Sequence, residues 1–342
     1  MSLTIQALTL RRPAPAQRPA QAARGYLHLD TAAGHLSVPP SRSARAALGY
    51  HVDANDAAIA EPGLRSVDLA DLACAELLQA VGPVRAGSVR NLVHCQATLD
   101  EQPLVSTCMK VGLMGLPAVS QALTVGQLGT APVPSALALA RSNLRAGLGA
   151  SVITAADKWL PPFDRQFGAL VTYADAAGAL LVGEGSGIAR VHALEARVAP
   201  QRRPFWDRAL DQVVAEMVDN VSALMRDCLA TAGWDVDSVD LVVGDRYGCD
   251  LPARIAQASG LPAHSWQQGE EPAGAHLSSA EFMRSLSVLL HAARGRDGVL
   301  RGAIWTASPS GAAAVALLAC DAREAVFGTR DGIEHIASNP IH

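Results

Sequence analysis

The segment "VGQLGTAPVPSALALARSNLRAG", residues 125–147, joins a short apolar run to a helix through a turn of small residues. A helix start gathers the positive ends of the peptide dipoles, so a nucleophile or a developing anion placed there is stabilised. This turn offers Gly129, Thr130, Ala131 and Pro132, with no Cys, His or acid. It is either an active site with an unusual nucleophile or one whose side-chain chemistry lies elsewhere. Cys249, in "DRYGCD", is a candidate displaced thiol, set against the plainer reading of a buried structural Cys. Ser308 and Ser310 border a glycine turn at Gly311, where pocket lining and ordinary turn chemistry explain them equally. His94 and Cys95 have no acid at ligand spacing and read as core or pocket wall; no metal site is expected.

The elements that must position these residues follow from periodicity. "MSLTIQALTL" reads as a strand, and "PAPAQRPAQAAR" (13–24) as a surface loop. "SVDLADLACAELLQAV" has apolar residues at helical spacing, "SVRNLVHCQAT" is a buried strand and "PLVSTCMKVGLMG" a helix ending near Gly115. "QALTVGQL" is a strand. The helix after it has Pro134 at an early position and Gly147 as its stop. "ASVITAAD" is a buried strand, and "GALVTYADAAGALLVGEG" two strands about a turn. The second half then restarts. The long amphipathic helix "RALDQVVAEMVDNVSALMRDCLATAG" leads into "WDVDSVDLVVGDRYG", which echoes "VRAGSVRNLVHCQAT", with Ser238 matching Ser88. "SSAEFMRSLSVLLHAAR" is a helix, and "RGAIWTASPSGAAAVALLAC" two final strands. Alternating helices and buried strands predict stacked α/β layers with an internal duplication.

The bulk numbers agree. Of 342 residues, 49% are hydrophobic, only 18% charged and 4% aromatic, so a large core packed mainly with Ala, Val and Leu is expected. The net charge of -4 and the lack of a long basic run argue against nucleic acid as a partner. No apolar run reaches the ~18–20 residues of a membrane span, and the N-terminus lacks the pattern of a signal peptide. Six cysteines without CxxC spacing fit free thiols in a reducing cytoplasm.

Several segments resemble the ketoacyl-carrier-protein synthase III family and its relatives. "YADAAGALLVG" (Tyr173 to Gly183) resembles the family's "GDGAGA" strand-turn-strand signature, with "FDRQFG" just upstream. "VSTCMKVGLMGL" resembles the helix before the nucleophile strand. "SVDLVVGDRYG" sits where members enter the loop of one catalytic His, and "SPSGAAAVALLA" resembles the closing glycine-loop strand. The resemblance spans most of the chain in order. It implies an α/β, thiolase-like, five-layered αβαβα architecture of two similar halves, 1–185 and 186–342, usually assembled as a dimer.

In that family a Cys at a buried helix start takes an acyl group from a thioester, helped by His and by backbone N–H groups. Matching on the strand puts Gly129 in the Cys position; matching on the following helix puts Thr130 there, and both registers stand open. Thr130 is then a weak nucleophile or a small turn residue. Where ordinary members place His, this chain has Asp245 or Arg246; where they place Asn, it has "GAHLSSAE". That segment resembles a branch in specialised metabolism with a "GHLGAGD"-type motif, in which a His and an Asp five residues on orient the nucleophile. The matching residues here are His276 and Glu281. A carboxylate on one imidazole nitrogen leaves the other as a base; alternatively His276 caps the helix that begins near Ser278. The resemblance also implies oxyanion or pocket roles for backbone at Gly129, Ser310 and Gly311.

Two functions follow as expectations. The first is an acyltransferase that moves an acyl group from a thioester of CoA or of a phosphopantetheine carrier protein to a small-molecule acceptor, with no other cofactor. The counterparts of the residues that clamp the adenine of CoA are missing, which favours a carrier. Arg202 and Arg203 are either a phosphate contact or a solvated loop. The second is a silent subunit that supports a related, Cys-bearing partner in a heterodimer. A ligand-binding protein on the same scaffold is the third reading.

Overall fold

The structure, a computed structural model, describes residues 2–11, 64–98, 107, 108, 111, 116, 118–159, 166, 167, 169–201, 203, 205–262, 265, 266, 275–323, 325–330 and 333–338. The loop expected over 13–24, Arg202 and most of the helix expected over 103–115 lie outside the described residues.

The first half contains β1 (Leu3–Arg11), α1 (Ser66–Gly87), β2 (Val89–Gln96), β3 (Gln121–Gly126), α2 (Pro132–Arg145) and β4 (Ala150–Asp157). The short β5 (Gln166–Phe167) and β6 (Val171–Thr172) pair with each other, and β7 (Ala176–Gly183) follows. Then come β8 (Ala189–Val198), α3 (Leu210–Ala232), β9 (Leu241–Gly244), α4 (Leu251–Ser259) and α5 (Glu281–Ala293). The chain closes with β10 (Leu300–Ala307), β11 (Ala312–Cys320), β12 (Ala325–Arg330) and β13 (Ile333–Ser338). The sequence reading missed β8, α4, β12 and β13. β8 alternates buried and exposed residues only at its start, ends in four exposed residues, and lacks the continuous apolar run that marks the inner strands.

Strand order shows the duplication. The main sheet runs β3-β2-β4-β7-β1-β8-β11-β10-β9. From the centre outward the path runs β1, β7, β4, β2 on one side and β8, β11, β10, β9 on the other, while β13 lies off this path, paired with β1 and β12. In the first half β3 closes the edge beside β2; in the second, Trp266 bridges to Val242 on the outer side of β9. The halves meet where β1 and β8 pair antiparallel.

Period-2 alternation sends each inner strand to two cores. Ile153 and Ala155 of β4 face one cluster, and Val152 and Ala156 another. Ile304 of β10 shares the first cluster, whereas Ala303, Trp305 and Ala307 turn to a third. The shared cluster holds α2 and α5, and α2 touches β2, β3 and β4 as well as β8 and β11. α1 covers the outer face of the first half, and α3 with α4 that of the second. The result is five layers, αβαβα, with α2 and α5 in the middle.

The helix starts and stops are local. Pro132 and Pro134 lie in the first turn of α2, where a missing N–H costs nothing, and Gly147 at φ 73 follows its last turn. α1 is broken by Gly82 (φ 78) before Pro83.

Candidate active site

Four chain segments meet where parallel strands end: the 126–131 turn into α2, Asp245–Tyr247 after β9, 275–280 before α5, and 307–311 between β10 and β11. Open α/β sheets place their sites at such carboxyl ends.

Ala307 is the hub. Its carbonyl accepts the hydroxyls of Thr130 at 2.8 Å and Tyr247 at 2.5 Å, while its N–H donates to Asp245 Oδ2 at 2.9 Å. That same carboxylate oxygen lies 3.4 Å from His276 Nε2, and both side chains are completely buried. Thr130, Asp245 and His276 therefore converge. Gly244 makes room for this: a Cβ there would sit 1.8 Å from the Trp305 indole, which lies fully buried across the end of β9.

His276 is held on all sides. Its N–H donates to the Thr172 carbonyl at 2.7 Å, and its own carbonyl accepts from Ala174. Its ring packs on Tyr173 and Tyr247, with centroids 5.3 and 5.0 Å away. Trp159 stacks on Tyr173 and donates its indole N–H to Ser278 Oγ. Imidazole Nδ1 accepts the Ser278 N–H at 2.9 Å, so the neutral ring carries its proton on Nε2, toward Asp245. The expected hydrogen bond between His276 and Glu281 is not made. Glu281 Oε2 is 3.9 Å from Nδ1, which the Ser278 amide already occupies.

Glu281 serves other partners. It accepts from Arg246 at 3.1 and 3.3 Å, from Arg284 at 2.5 Å and from the Leu277 N–H at 2.7 Å. Burial opposes its ionisation, but the guanidinium groups of Arg284 and Arg246 and the nearby His276 outweigh it and hold the carboxyl well below the usual range. Glu281 thus clamps the Asp245–Tyr247 loop, through Arg246, to the start of α5. Arg284, three residues on, was missed by the sequence reading; the i,i+3 spacing was its signal.

Burial pushes the Asp245 carboxyl up, only partly offset by His276. Its Oδ1 and His276 Nε2 are buried without a hydrogen-bond partner among the described residues. Burial also pushes the Tyr247 phenol well up, keeping it a donor.

Asp157, at the end of β4, was also missed as a functional residue. Its carboxylate accepts from Ala97 N, Thr98 N, Thr98 Oγ1, Ser279 N and Ser279 Oγ, tying the His276 turn to the first half. Burial raises its pKa despite these donors.

The expected oxyanion amides are differently engaged. The Ser310 N–H donates to Ser308 Oγ at 3.2 Å and the Gly311 N–H to the Ser308 carbonyl at 2.9 Å, so both close the turn. Gly311 (φ 93) lies against the Ala199 carbonyl, where a Cβ would approach to 2.6 Å. Gly129 (φ 56) has no room for a Cβ because Ser308 stands over it.

Of the other sequence candidates, Cys249 is partly buried. Burial, with Asp211 and Asp250, pushes its thiol up and keeps it protonated. His94 is buried, bonded to Thr154 Oγ1 at 3.0 Å and lowered to about 4 by burial; burial and then Asp157 push the neighbouring Cys95 thiol up.

No protein-family model and no curated relative matches the sequence. Solved structures do. ChlB3, described as an acyltransferase, superposes with a TM-score of 0.72 at 17% identity, over 94% of this chain and 98% of that one. FabH from Pseudomonas aeruginosa PAO1, a 3-oxoacyl-(acyl carrier protein) synthase III, gives 0.67 at 18% identity, over 94% and 99%. AbyA1, a tetronic acid condensing enzyme, gives 0.66 at 18% identity, over 93% and 99%. This protein has the thiolase-like α/β fold of the 3-oxoacyl-(acyl carrier protein) synthase III enzymes, its two halves closed around a buried Asp245–His276 couple.

Proposed function

We propose that this protein is an acyltransferase, acting on a thioester of CoA or of a phosphopantetheine carrier protein and a small-molecule acceptor of specialised metabolism. The observation that carries the reading is the Asp245–His276 couple beside the α2 start. The Ser278 amide fixes the imidazole with its proton on Nε2, directed at Asp245 Oδ2. Asp245 Oδ1 is left as the uncommitted acceptor, on a carboxylate made more basic by burial. Asp245 is therefore the base and His276 the group that orients it, in place of the His276 base oriented by Glu281 expected from sequence. The acceptor's proton passes to Oδ1 as its heteroatom bonds to the acyl carbon. The bond to the leaving group then breaks, and the proton returns to that group. We assign stabilisation of the developing oxyanion to the positive end of α2, whose preceding Thr130 is hydrogen-bonded to Ala307 in this cluster.

We place the boundary between the halves at 185/186, with the α2 turn before it and the Asp245, His276 and Ser308 segments after it. β3 is an outermost strand with four exposed residues, and pairing of that edge between two copies is the homodimer we propose. Six free cysteines fit a cytoplasmic protein, and no helix among the described residues is long and apolar enough to cross a membrane.

One set of observations favours the silent-subunit reading. Gly129 cannot carry a side chain, and the Thr130 hydroxyl is spent on Ala307. The experiment presents the purified protein with acyl-CoA and acyl-carrier thioesters and alcohol and amine acceptors, following product by mass spectrometry. Turnover by the protein alone, lost in Asp245→Asn, supports the acyltransferase. Turnover that appears only with a Cys-bearing relative present supports the silent subunit.

A further inference from the structure

We propose that Ser308 is the nucleophile that carries the acyl group, as an oxygen ester, between donor and acceptor. The inference rests on the acyl-transfer reading and divides its transfer into two steps, with Ser308 as the leaving group of the second.

Ser308 leaves β10 immediately after Ala307 and crosses to the α2 turn. A Cβ built on Gly129 would lie 2.1 Å from Ser308 Oγ and 2.3 Å from Ser308 Cβ. The serine side chain thus fills the space that a side chain on residue 129 would enter, at the start of α2. A nucleophile delivered from the opposite strand stands where one from the turn itself would stand. The glycine at 129 is what allows it there.

The surroundings fit a nucleophile. Ser308 is 5% exposed, and its Oγ lies 2.7 Å from that of exposed Ser310, so a hydroxyl pair runs from the interior to the surface. Asp245 Oδ2 holds the amide of Ala307, the preceding residue, which joins the base loop to the same strand end. Thr130, the rival on the turn itself, is 1% exposed with its proton on the Ala307 carbonyl.

In the first half-reaction, Ser308 Oγ bonds to the thioester carbonyl carbon and the carbon–sulfur bond breaks. The serine proton passes through the Ser310 hydroxyl to the departing thiolate, releasing a free thiol. In the second, the acceptor gives its proton to Asp245 Oδ1 and attacks the ester carbon. The bond to Ser308 Oγ breaks, and the proton returns to that oxygen.

The test incubates the full-length protein with acetyl-CoA and with butyryl-N-acetylcysteamine, without acceptor, followed by acid quench, intact-mass measurement and peptide mapping. One acyl adduct on the peptide holding Ser308 is expected, stable to neutral hydroxylamine. It is lost in Ser308→Ala and becomes hydroxylamine-labile in Ser308→Cys, with folding of both variants checked by circular dichroism. An adduct on Thr130 or Cys249 overturns the proposal. So does transfer to acceptor at the parental rate by Ser308→Ala, which leaves the acyltransferase reading standing. Parent protein that neither acylates nor transfers overturns both.

Discussion

His276 Nε2 lies 3.4 Å from Asp245 Oδ2, and neither side chain has any contact with solvent. The two come from segments thirty-one residues apart and are locked independently, the imidazole by the Ser278 amide and the carboxylate by the Ala307 amide. A buried couple held from both sides has little freedom to reorganise when charge develops, which is the physical condition for electrostatic catalysis.

Asp245→Asn removes the base and is expected to lower acyl transfer by about 10²–10⁴-fold, measured as kcat/KM. The pH profile has a definite sign. Burial raises the Asp245 pKa, so the reactive carboxylate forms as pH rises through a value above the ordinary carboxylate range. Activity should fall on acidification through that value. His276→Gln, which cannot orient the carboxylate in the same way, should shift this limb as well as lower the rate. A limb that stays put assigns the titration to another group.

Glu281 governs stability in acid. Its folded pKa lies below its unfolded one, so its contribution is present above about pH 4.3 and is lost as pH falls further. Glu281→Gln leaves Arg284 buried against a neutral partner and is expected to cost about 3 kcal/mol at pH 7. Urea titrations should show this deficit shrinking below pH 4.3; a constant deficit would mean that the carboxylate's charge is irrelevant.

Gly129→Ala meets two obstacles, a left-handed backbone at φ 56 and the Ser308 side chain. The loss should be about 3 kcal/mol, part conformational and part steric. Combining it with Ser308→Gly removes the steric part alone, so a double-mutant cycle should recover about half of the loss. Additive losses would show that the two residues do not compete for the same space.

Leu123 is 44% exposed on the outermost strand. A lysine there charges the edge, and Leu123→Lys is expected to convert the proposed dimer to monomer by multi-angle light scattering without loss of helix content. A dimer of undiminished strength would place the interface elsewhere.

Much of this fold is local information. The amphipathic helices α2, α3 and α5 and the buried strands β2, β4 and β7 announce themselves by period, because burial on one stripe or on both faces constrains residue type directly. The echo between the Ser88 and Ser238 segments was legible for the same reason. So was the unusual character of the Gly129–Thr130 turn, since a missing thiol is a fact about sequence. The pairing of side chains was not. His276 and Glu281, five residues apart, suggested a couple, yet a backbone amide reaches Nδ1 first and two arginines from different elements take the carboxylate. The partner of His276 comes from the end of β9, and Ser308 comes over Gly129 from the end of β10. Which groups share a few ångströms depends on strand order and crossover, and those are set by packing the whole core; no spacing along the chain encodes them.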